Sequence, residues 1–127
     1  YMADTGLFVS MLEDGTQFDI LNGNLFGYKG AIFENLIADI FSKMNRRLYY
    51  FRKDSGLELD FVIRYKGQCT PVEVKANDGN AKSVKTVLKH PEKYHVESAI
   101  KLADLNLGRK DGILTLPLYM AFLLTER

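Results

Sequence analysis

The strictest constraint on how this chain can fold is an alternating run from residue 57 to 65, answered at once by a second strand-like run. In an extended backbone Leu57, Leu59, Phe61, Ile63 and Tyr65 point one way, and Glu58, Asp60, Val62 and Arg64 point the other. Lys66-Gly67 offers a tight turn, and residues 68–76 read as the return strand, with Val72 and Val74 on one face and Glu73 and Lys75 on the other. With a two-residue loop, Tyr65 lies opposite Gln68, Asp60 opposite Glu73, and Glu58 opposite Lys75. A four-residue loop slides the pairing by two and sets Asp60 against Lys75. Both registers gather the acids and the lysine into one patch, whereas a one-residue slip disperses them.

The flanking pattern predicts helices around this hairpin. Ile32, Phe33, Leu36, Ile37, Ile40, Phe41 and Met44 recur at helical spacing over residues 29–44. Glu34 stands at the edge of that stripe, placed either to lean towards a sheet or to face solvent. A short helix is expected over residues 5–12, with Asp4 as a helix cap or turn residue, and connecting structure over 13–27. Residues 48–53 read as a strand. Residues 81–88 read as an amphipathic helix that Pro91 stops, with Val84, Val87 and Leu88 inward and Lys82, Lys85 and Lys89 on another face. Beyond it we expect a strand over 95–102, a loop over 104–111, and a strand leading into a terminal helix over 112–124. Helix, three strands, helix, strand is an α/β order, expected as a mixed sheet flanked by helices in one domain over residues 1–127.

Composition narrows the function classes. The net charge of +1 supplies no global basic field, so any nucleic-acid contact must come from a local patch. A single cysteine, Cys69, excludes an internal disulfide framework and suits a reducing, cytoplasmic setting. The most apolar run, 114–124, is too short for a membrane span and contains Pro117. The apolar C-terminal segment 113–124 is the one hint of an oligomer or partner contact. Arg46, Arg47, Arg52 and Lys53 read as surface charge, Tyr49, Tyr50 and Phe51 as strand packing, and His90 and His95 as structural. The opening Tyr1-Met2-Ala3, inside what reads as an ongoing element, is what a fragment of a longer protein or a processed chain presents.

An acid–acid–lysine patch is hard to explain as core. Two carboxylates about 4 Å apart repel by about 4 kcal/mol at an effective dielectric of 20. Lys75 offsets part of this, and a divalent cation would offset the rest. Asp60 and Glu73 as ligands, Glu34 reaching in directly or through water, and the Val74 carbonyl form the oxygen set that Mg²⁺ or Mn²⁺ takes. Lys75 would then orient or deprotonate a water at a phosphodiester. The alternative is a solvated acidic face with a Glu58–Lys75 cross-strand pair. For Lys82, Lys85 and Lys89 the alternatives are phosphate contact and a solvated helix face.

Asp60, then Glu73-x-Lys75 on the adjacent strand, with Glu34 on the preceding helix, resembles the PD-(D/E)XK, or restriction-endonuclease-like, superfamily. The element order is similar to its αβββαβ core. Ala3-Asp4-Thr5-Gly6-Leu7, Gly30-Ala31-Ile32-Phe33-Glu34-Asn35, Tyr49-Tyr50-Phe51-Arg52, Glu58-Leu59-Asp60-Phe61-Val62 and Val72-Glu73-Val74-Lys75 are similar to the C-terminal domain of unknown function of prokaryotic AAA-type ATPases, over most of residues 1–90. Leu59 stands where the superfamily's name places proline. No Gly-x-x-x-x-Gly-Lys-Ser/Thr occurs, so no P-loop is present in these residues. The resemblance implies either a Mg²⁺- or Mn²⁺-dependent nuclease acting on DNA or RNA, attached to its own ATPase domain, or a nuclease-like fold kept as a docking module.

Overall fold

The computed structural model describes residues 1–24 and 27–125. Its centre is a six-stranded mixed sheet in the order β1-β2-β3-β4-β6-β5. The strands are β1 (Tyr49–Arg52), β2 (Glu58–Tyr65), β3 (Gln68–Lys75), β4 (Ala99–Ala103), β5 (Gly108–Lys110) and β6 (Ile113–Pro117). The helices are α1 (Thr5–Ser10), α2 (Thr16–Leu21), α3 (Lys29–Lys43), α4 (Lys82–Leu88) and α5 (Pro91–Tyr94), with a closing 3₁₀ helix over Leu118–Leu123. β1, β2 and β3 pair antiparallel, β3–β4 and β4–β6 pair parallel, and β5 returns antiparallel along β6. The expected mixed sheet flanked by helices is therefore what forms, and it does not close into a barrel.

The hairpin settles its own register. Tyr65 pairs with Gln68, so the loop is Lys66-Gly67, and both residues take positive φ (50° and 78°) as a right-twisted two-residue turn requires. Two apolar layers sandwich the sheet. On one side Ile37, Ala38 and Phe41 of α3 pack with Phe61, Ile63, Val72, Val74, Ile100 and Leu102, joined by Ala121 and Leu124 from the chain's end. On the other, Val84 and Val87 of α4 pack with Leu59, Val96, Ala99 and Ile113. Phe41 and Phe61 meet edge to face at 5.6 Å and are almost wholly buried, each burial being worth roughly 1.5–3 kcal/mol.

The simple alternation expected for residues 57–65 breaks at one point. Tyr49 pairs with Val62 but Phe51 with Leu59, so β2 carries one residue more than β1 between these pairs, and Asp60 and Phe61 together face Tyr50. The bulge sends Leu57 and Leu59 to the α4 layer while Phe61, Ile63 and Tyr65 stay with α3.

Other expectations are corrected locally. Residues 16–21 of the expected connection form α2, bracketed by Gly15 in the left-handed region and Asn22-Gly23, so the turn signals mark its ends. Residues 25–26 of that stretch lie outside the described residues. Pro91 opens α5 instead of merely ending α4, and His95 caps α5 in the left-handed region, so β4 starts only at Ala99. Part of the expected 104–111 loop is β5, and the terminal helix is 3₁₀.

Arg46 is buried, donating to the carbonyls of Leu124 and Arg64 and so tying the chain's end to β2. Tyr49 and Tyr50 are exposed, and only Phe51 of that trio packs. Most of the apolar run 114–124 is spent on the core through Leu116, Ala121 and Leu124, which leaves Tyr119, Phe122 and Leu123 outside. Among the described residues no helix is long and apolar enough to cross a membrane.

Candidate functional site

Four elements converge where β2 and β3 part. The β2–β3 pairing runs from Tyr65↔Gln68 to Phe61↔Val72 and goes no further. Past that point the Val74 N–H donates to Asp60 Oδ2 at 2.8 Å. A side-chain carboxylate thus takes the place that a backbone carbonyl of β2 would hold in a continued ladder. The Asp60–Phe61 bulge makes this possible, because it turns Asp60 out of the regular alternation at the fork.

Glu73 and Lys75 alternate with the buried Val72 and Val74, so they stand on the α4 side. Lys75 Nζ pairs with Glu73 Oε1 at 2.6 Å, not with Glu58, the partner expected from the extended register. Gly79 explains how the lysine is held. A Cβ there would lie 3.2 Å from Lys75 Cδ, so the loop passes directly over the lysine stem.

Glu73 is only 5 % exposed, and its second oxygen, Oε2, is buried without a hydrogen-bond partner. A buried carboxylate oxygen left unsatisfied costs on the order of 1–3 kcal/mol, more when charged. Burial and the nearby Asp60 raise the Glu73 carboxyl above its ordinary range, against the pull of Lys75. Burial likewise raises Asp60, opposed by the Val74 N–H and by Lys75. Glu34 is raised by burial and then by Asp60. It is half-buried, and the charges of Asp60, Lys75, Glu58 and Glu73 all act on it. Burial pulls Lys75 down, but its bond to Glu73 and the charges of Glu73, Asp60 and Glu34 leave it raised overall. Each acid is thus pressed towards neutrality, and the lysine towards its charged form.

Two contributors escaped sequence reasoning. Asn35, next to Glu34 and 2 % exposed, accepts from Met2 N at 2.6 Å and donates to Met2 O at 3.1 Å and Thr5 Oγ1 at 3.3 Å. Its amide clamps the first residues against α3, and Tyr1 stacks on Phe61 at 5.3 Å. Burial, then Glu34, Asp60 and Glu58, push the Tyr1 hydroxyl up to about 12. Asn35 lies off the apolar stripe by helical spacing, so its burial had no signal in the periodicity, and nothing local marked Tyr1. Lys82, Lys85 and Lys89 are exposed on α4, as expected, while Asp4 caps α1 through Leu7 N at 2.7 Å.

Among the described residues, no three of the His, Cys, Asp and Glu side chains converge closely enough to hold an ion by themselves. At the fork the structure shows the Asp60 carboxylate on the Val74 N–H and, on the neighbouring strand, the unpartnered Glu73 Oε2.

The sequence profile of a domain of unknown function, DUF4143, matches residues 29–120. The chain belongs to the DUF4143 family. The matched DUF4143 region contains α3 and every strand of the sheet, and with them Glu34, Asp60, Glu73 and Lys75. The clamped Tyr1–Met2 segment lies outside it. Comparison of this DUF4143 chain with curated proteins and with solved structures gives no match.

Proposed function

We propose that this chain is a PD-(D/E)XK-type domain of an AAA-type ATPase, whose fork site hydrolyses phosphodiester bonds of DNA or RNA with Mg²⁺ or Mn²⁺. The observation that carries the reading is Glu73 Oε2: a buried carboxylate oxygen with no partner, beside a second carboxylate and a clamped lysine. A hard divalent cation is the group that such oxygens fit. Asp60 and Glu73 would hold it with the Val74 carbonyl, and Glu34 would act through water. When bound, the ion makes a water acidic and offsets charge on the phosphate. Lys75, fixed by Glu73, positions the attacking water and faces the anionic phosphate. Asp60 keeps the fork open through its bond to Val74 N.

A second reading, a docking module without cleavage, is favoured by one observation. Leu7, Met11, Phe18 and Leu21 of the α1–α2 region are more than half exposed (54, 69, 69 and 81 %), apolar side chains of the kind a partner surface covers. The experiment is Mg²⁺ and Mn²⁺ binding together with cleavage of mixed DNA and RNA by wild type, Asp60→Ala and Lys75→Ala. We expect metal-dependent cutting that either substitution lowers by about 10²-fold or more. Cutting that survives both removes the site from the proposal. Absence of metal binding at millimolar concentration leaves the docking reading.

A further inference from the structure

Outside the fork, the most unusual charge in the molecule is Lys101. It stands in β4 between Ile100 (2 % exposed) and Leu102 (0 %), and is itself only 9 % exposed. An ammonium there has lost most of its water, which is costly unless hydrogen-bonded anions replace it. Among the described residues its contact is Asp78 Oδ1 at 3.4 Å, and that side chain is 87 % exposed. One long contact to a solvent-facing carboxylate is poor compensation for a group with three donors.

Lys101 opens into a cleft of about 360 Å³ between α4 and strands β4–β6. Thr115, its neighbour in the β4–β6 register, and Lys110 of β5 line the cleft beside it. Lys85 enters from α4, held by Asn80 Oδ1 at 2.7 Å. The acids on the wall are Asp78 and Asp111, so the lysines outnumber them. Register also sets Lys101 beside Glu73, one strand spacing away, on the same side of the sheet. Gly79, which covers Lys75, lies on the cleft's rim.

We infer that this cleft binds a phosphate group, with Lys101 as its buried centre and Lys85 and Lys110 as its rim. Asp78, already solvent-facing, gives up its long contact with Lys101 when the phosphate arrives. The cleft adjoins the fork, so the source that fits is the backbone of a nucleic-acid strand lying across both. That choice of source rests on the proposed function; the phosphate site itself does not.

The test is equilibrium binding with chelator present, so that cleavage plays no part. A labelled single-stranded oligonucleotide, inorganic phosphate and a nucleoside monophosphate are titrated against the wild-type chain, Lys101→Gln, Lys110→Glu and Asp78→Asn. Lys101→Gln and Lys110→Glu should each weaken oligonucleotide binding about tenfold and lower the salt slope by about 1. Asp78→Asn should tighten it, whereas a purely structural Lys101–Asp78 tie gives lower stability and no gain. Lys110 lies on an exposed strand, so its variant carries the test if Lys101→Gln does not fold. A response confined to free phosphate or the monophosphate supports the site and assigns it a small ligand. Unchanged binding of all three probes in both lysine variants overturns it. Asp60→Ala serves as the control: lost cleavage with intact, Lys101-dependent binding separates failure at the fork from failure of the cleft.

Discussion

Asp60 does two things at the fork, and they separate by substitution. Its charge belongs to the acidic cluster, while its Oδ2 satisfies the Val74 N–H. Asn keeps an acceptor oxygen and removes the charge; Ala removes both. Asp60→Ala should therefore cost about 1–3 kcal/mol from the unsatisfied amide, whereas Asp60→Asn should be neutral or stabilising in metal-free buffer. Urea melts of the two variants check this, and equal losses would show that the Val74 bond carries no weight. The acids and Lys75 were legible because each residue type is unusual on a strand beside a hairpin. Their partners were less so. Counting the register assigned Glu58 to Lys75, but the strands part before that pair forms and Glu73 takes the lysine.

Among the elements, those with long, clean periodicity, α3, β2 and β3, were legible in the sequence. Among the short ones, α1, β1 and α4 were legible from their caps and flanking turns, but α2 and β5 were not. α2 has six residues and β5 three, too few for a period to stand out, and β5 exists only because β6 offers it an edge. The β2 bulge is invisible for another reason. Leu59, Phe61 and Ile63 suit either apolar layer, so residue type is the same with or without the extra residue. The buried guanidinium of Arg46 was read as surface charge because sequence shows charge and not burial. It joins the 3₁₀ helix to β2 through the Leu124 and Arg64 carbonyls. Arg46→Met should lower stability by about 2–3 kcal/mol, seen as a reduced denaturant midpoint, since those acceptors lose a charged donor. A change below about 0.5 kcal/mol would mean that the joint is dispensable.

For the molecule as a whole, the raised carboxyls make stability depend on pH. Glu34, Asp60 and Glu73 all lie above their ordinary values of 4.5, 3.8 and 4.5 when folded. In the window above those values the folded chain holds more protons than the unfolded one, so stability falls as pH rises through it. Lys75 is also raised, and its contribution persists at neutral pH and is lost only as pH rises through its elevated value in the alkaline range. Metal-free chain should thus melt at lower temperature near neutrality than in mild acid, and millimolar Mg²⁺ or Mn²⁺ should reverse the difference by binding the ionised acids. Thermal melts across pH with and without the ion test this; a flat metal-free profile would count against the cluster's electrostatics. The alternation and helix periods made the layer order legible at this scale. The convergence at the fork depends on where β2 and β3 separate, a tertiary choice that residue spacing leaves open.

The Asp60–Val74 bond gives the fork a built-in reporter. One main-chain amide hangs on the same carboxylate that a cation would recruit, so its proton resonance and its exchange with solvent should follow the occupancy of the site. A ¹⁵N-labelled sample would then read loading at Val74 directly, with no substrate and no turnover.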